Sequence, residues 1–146
     1  MVTTSAASLQ GTHIPLSRIF IAGLLAIIAS SLANTVVRFI TVMLFSIDPV
    51  FGPLQLMTPI VFTVIGVLGG VIVFAILSRT VQRPMRVFQI VALVVLLVSL
   101  IPNILLFFAN SMLIPGLTVP GIIALIVMHF VAWAITVGLL SPLEHT

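Results

Sequence analysis

The side chains able to do chemistry in this chain are few, and most sit inside long apolar runs. Ser31, Asn34, Thr35, Arg38 and Thr41 recur at steps of three or four, which places them on one face of a helix. An arginine one turn from an asparagine in that setting can hold an anionic or carbonyl-bearing group. Its plain structural reading is a guanidinium snorkelling to the headgroups. Ser99, Pro102 and Asn103 make a second polar patch. There the proline frees the Val98 carbonyl, and the two polar side chains can satisfy it or bond a neighbouring helix. His129 is the one histidine inside an apolar run. It offers a hydrogen bond to protein or, more sharply, a single axial ligand to haem. A proton relay would need acidic partners in the membrane, and the runs contain none. Asn34, Arg38, Ser99, Asn103 and His129 are therefore the candidate ligand-binding residues. No metal site, no catalytic residue and no cofactor other than haem on His129 is expected.

Composition narrows the chemistry further. The chain has two acids, Asp48 and Glu144, predicted on opposite sides of a membrane, so they cannot act as a carboxylate pair. H-E-x-x-H, G-x-S-x-G and phosphate-binding glycine loops are absent, which argues against an enzyme. The lack of cysteine rules out disulfides, thiolate metal sites and cysteine nucleophiles. The positive side of the +3 formal charge is all arginine, mostly beside the apolar runs, a topology signal rather than a surface for nucleic acid.

The elements that carry these residues are membrane spans. Hydrophobic residues make up 62% of the chain, charged ones 5%, and the mean hydropathy is +1.48. The apolar residues fall in blocks at about 19–45, 58–77, 87–108 and 120–140, each beyond the roughly 17 residues a spanning helix needs. Long continuous runs exclude a barrel, whose strands would be short and alternating. The predicted fold is all-α: a four-transmembrane-helix bundle over residues 18–140, with an N-terminal tail at 1–17 and a short C-terminal tail at 141–146. A cleavable signal peptide ending at Ala33 is the rival for the first block, although apolar residues continue to Phe45. Arg79, Arg83 and Arg86 lie between blocks two and three, while the other two connections carry no basic residue. By the positive-inside rule that loop and both termini are cytoplasmic.

Two further features bear on partners. The outer connections are apolar, with Val50, Phe51, Leu54, Leu56 and Met57 in one and Met112, Leu113, Ile114 and Leu117 in the other. They are expected to fold over their own bundle. Block two contains Gly66, Gly69 and Gly70, and the Gly66–Gly70 pair is a G-x-x-x-G, a pattern for close helix contact. Packing within the chain is the simpler expectation, and a protein partner or homo-oligomer is the other.

The sequence resembles a family of small bacterial four-helix membrane proteins known only as a domain of unknown function. The resemblance spans about Arg18 to Leu140. It rests on A-N-x-x-x-R at Ala33–Arg38, V-F-T-V-I-G-V-L-G-G at Val61–Gly70, Gln82-Arg83-Pro84, S-L-I-P-N at Ser99–Asn103 and Met128-His129. It implies a four-helix bundle in the plasma membrane and no particular activity. The residues themselves favour a non-enzymatic accessory or interaction subunit. The alternatives are a lipid- or small-molecule-binding protein with a pocket near the outer leaflet, or a haem- or quinone-binding subunit.

Overall fold

The computed structural model describes residues 14–109 and 113–145. The expected tail lies outside them as far as residue 13, as does Met112. Four helices carry the chain: α1 (Leu16–Phe45), α2 (Met57–Thr80), α3 (Pro84–Leu105) and α4 (Val119–Leu140). Each is long and apolar enough to cross a membrane, and no strand occurs among the described residues.

Proline and polar caps set the boundaries. Pro84 opens α3 and Pro120 sits in the first turn of α4, where a missing N–H costs nothing. The Thr118 hydroxyl accepts the Gly121 N–H at 3.3 Å and caps α4. Ser46 turns left-handed, at φ 48°, to end α1. Asp48 Oδ1 then accepts the Val50 N–H at 2.8 Å, the Asx turn that an Asp-Pro pair favours.

Side-chain neighbours fix the topology. Ile19 at the start of α1 packs with Phe74 of α2, Phe88 near the start of α3 and Leu140 at the end of α4. At the other end, Val37, Leu106 and Leu125 share a second cluster with Ile47, Phe51 and Leu54. The helices therefore run up-down-up-down, and both described ends lie beside the Arg79–Arg86 connection. α1 packs on α2 and α4, and so does α3, leaving α1 and α3 at opposite corners.

Large apolar side chains cover the outside, including Phe20, Met43, Phe62, Ile65, Ile90 and Leu97. Water would not tolerate so continuous an apolar surface, whereas hydrocarbon solvates it at no cost. The protein is a multi-pass membrane bundle. Its depth can be scaled from one contact: Asn34 Nδ2 donates to Thr63 Oγ1 at 2.8 Å, which sets α1 and α2 level at that point. Arg18 and Arg79 each lie sixteen residues below it, about 24 Å along their helices. Arg38, twenty residues from Arg18, is about 30 Å away, one hydrocarbon thickness. Arginines thus mark both faces of the slab.

Helix α1 leaves no room for a side chain at Gly23. A Cβ on Gly23 would lie 2.7 Å and 2.9 Å from the two methyls of Val71. Ala22, Gly23, Ala26 and Ser30 form the buried small-residue stripe that admits α2 and α4 to this distance.

Candidate functional site

The polar residues separate the two apolar clusters. Ser30 and Asn34 are buried on α1, at 0% and 3% exposure, and Thr63 is buried opposite Asn34 on α2. Gly70 faces Thr136, so Trp133 lies at about the level of Ser30, and His129 at about that of the Asn34–Thr63 bond. Four buried polar atoms in this layer have no hydrogen-bond partner: Ser30 Oγ, Ser31 Oγ, Asn34 Oδ1 and Trp133 Nε1. Ser30 and Trp133 carry no signal that sets them apart from the apolar run around them. Their burial depends on which way the helix faces, and hydropathy does not report that.

The five candidate ligand-binding residues do not share one hydrogen-bonded pocket. Asn34 is engaged by Thr63. Ser99 Oγ donates to the Leu96 carbonyl at 2.7 Å, and Asn103 Nδ2 donates to the Ser99 carbonyl at 3.1 Å. Both bond carbonyls of their own helix, and neither reaches the Val98 carbonyl that Pro102 frees, contrary to expectation. His129 Nδ1 lies 2.7 Å from the Leu125 carbonyl. A carbonyl only accepts, so the proton sits on Nδ1, and in the neutral ring Nε2 keeps its lone pair. Asn103 stands about 9 Å farther out than Asn34 by helical rise from Phe88, which packs against Phe74 and Gly70, and on the opposite corner. Apart from that Asn103–Ser99 bond within α3, no hydrogen bond joins any two of the five among the described residues.

Arg38 stands in a different setting. Its Nε donates to the Leu54 carbonyl at 2.7 Å, and its Cζ lies 5.2 Å from the centre of the Phe39 ring. The side chain is half-buried. It lines a groove of about 430 Å³ together with Ile47, Asp48, Leu54, Gln55 and Met57. Of the five candidates, Arg38 alone lines that groove. A second groove of about 480 Å³ runs along α3 and α4, lined by Arg86, Gln89, Ile90, Leu93, Trp133 and Val137.

The outer connections do fold onto the bundle. Ile47, Phe51 and Leu54 are buried, and Ile114 and Leu117 pack against them. A Cβ on Gly116, at φ +74°, would lie 3.0 Å from the Phe51 nitrogen, and one on Gly121 would lie 3.1 Å from the Phe51 ring. Phe51 is the plug of that end.

The glycines of α2 correct one expectation. Gly70 faces Thr136 and Phe88, but a Cβ on Gly66 or Gly69 would meet nothing within 4 Å. Gly66 and Gly70 therefore do not act as a pair within the chain, and the tightest glycine contact among the described residues is at Gly23 on α1. The reason is geometric. Gly66 and Gly69 lie on the exposed side of α2, beside Phe62, Ile65, Leu68 and Ile72.

Neither a curated protein nor a solved structure matches the chain. One family model does, over residues 15–144, and by that match the chain belongs to a family of unknown function, DUF6069.

Proposed function

We propose that the protein is a non-catalytic subunit of a bacterial plasma membrane, its termini cytoplasmic, that works by packing α2 against a helix of another membrane chain. The observation that carries this reading is the outward position of Gly66 and Gly69. Glycine in a helix interior is less favourable than alanine by about 0.5–1 kcal/mol. Lipid would accept a larger apolar residue at either position at no steric cost. Two glycines there are a liability to the isolated bundle, and they become useful when a second backbone comes close enough for dispersion and Cα–H···O contact. The scarcity of acid–base groups supports the non-catalytic part, since the two acids belong to opposite ends of the bundle.

Native mass spectrometry after mild extraction tests this. The wild-type chain should retain a protein partner or a second copy. Gly69→Leu should release it while leaving the fold intact, because nothing lies within 4 Å of a Cβ there and the position is on the exposed side of α2. Equal retention by the two would overturn the reading.

A further inference from the structure

The groove at Arg38 lies about 30 Å from the arginines of the opposite face, at the level where a bilayer's hydrocarbon gives way to headgroups. It holds one cation and one anion, Arg38 and Asp48. The two are not an ion pair, and neither has another charged partner within 4 Å among the described residues. Each is tethered instead to backbone: Arg38 through Nε to the Leu54 carbonyl, Asp48 through Oδ1 to the Val50 N–H. Each tether uses one atom and leaves the rest of the charged group without a hydrogen-bond partner among the described residues. Four N–H groups remain on the two terminal nitrogens of Arg38, and Asp48 keeps its second carboxylate oxygen.

A guanidinium fork with free terminal N–H groups suits a phosphate, which it can grip by two parallel bonds. A free carboxylate oxygen nearby suits a primary ammonium. One molecule offers both groups at a membrane boundary together with apolar tails. We infer that the groove binds the headgroup of a zwitterionic phospholipid bearing a phosphate and a primary ammonium, with Arg38 on the phosphate and Asp48 on the ammonium. Its acyl chains run down the apolar surface beside exposed Met57 and Phe39. The Leu54 tether sets this apart from a snorkelling arginine, because the guanidinium is anchored to backbone before a lipid arrives.

Native mass spectrometry of the full chain tests the inference, with phosphatidylethanolamine, phosphatidylglycerol and phosphatidylcholine offered at equal concentration. The wild type should retain one phosphatidylethanolamine per chain, about ten-fold in preference to either of the others, the ratio set by one charge-assisted hydrogen bond. Arg38→Gln should bring retention down to the level of phosphatidylcholine. Asp48→Asn should remove the preference for ethanolamine over choline. It should also stay folded, since an amide oxygen can still accept the Val50 N–H, so this arm decides the matter even where the arginine variant unfolds. Phosphatidylglycerol held as well as phosphatidylethanolamine, no selective retention, or a preference untouched by Asp48→Asn would each overturn the assignment.

Discussion

Placing one methyl group on α1 should loosen the bundle, and the size of the effect follows from Val71. In Gly23→Ala the new Cβ would fall 2.7 Å and 2.9 Å from the Val71 methyls and 3.4 Å from its Cβ. A β-branched side chain in a helix is held near one χ1 rotamer, so Val71 cannot swing aside. The helices must part instead. Overpacking of this kind costs about 1–3 kcal/mol, against about 1 kcal/mol that alanine regains over glycine in helix propensity. The expected net loss is about 1 kcal/mol. A double-mutant cycle isolates the contact: in Gly23→Ala with Val71→Ala the clash disappears, and the coupling should reach about 1 kcal/mol in favour of the pair. Reversible unfolding by SDS titration in mixed micelles reads these values. A Gly23→Ala variant as stable as wild type, or coupling below about 0.5 kcal/mol, would refute the close approach of α1 and α2.

Other substitutions probe the remaining contacts. Gly69→Ala in the isolated bundle should be neutral or stabilising by up to about 1 kcal/mol in the same titration, the opposite sign to Gly23→Ala. Thr63→Val deprives the Asn34 amide of its acceptor and should cost about 0.6–2 kcal/mol. Gly116→Ala meets both a positive φ and the Phe51 backbone at 3.0 Å. It should expose the outer connection to proteolysis, with a loss of about 1 kcal/mol or more. The purified protein should show no Soret band; a band that His129→Ala abolished would put haem on Nε2.

The span positions were legible because length and hydropathy decide them, and Pro84 and Pro120 mark two of the starts. The facing of each helix was not. In water an apolar stripe points to the core, but hydrocarbon is as apolar as the core, so a span that is apolar all round carries no such arrow. That is why Gly66 and Gly23 changed roles: the G-x-x-x-G stands out in sequence, yet its first glycine faces outward, while Gly23 makes the tight contact. The run Gly23, Ala26 and Ser30, spaced by three and then four, was the signal for that contact. Polar spacing did locate the inward side of α1, since Asn34 and Thr41 are buried there. It left open whether Ser99 and Asn103 would serve their own backbone or a neighbouring helix; they serve their own, at the Leu96 and Ser99 carbonyls rather than the Val98 carbonyl, a choice that spacing alone does not make.

The outward glycine face is tested most directly in the membrane itself. A photo-crosslinking residue at Ile65 or Ile72, which flank Gly69 on the exposed side of α2, should capture a discrete protein adduct, and one at Leu97 on α3 should label lipid alone. Lipid labelling at all three positions, or the same protein adducts at all three, would contradict a helix-packing role for α2.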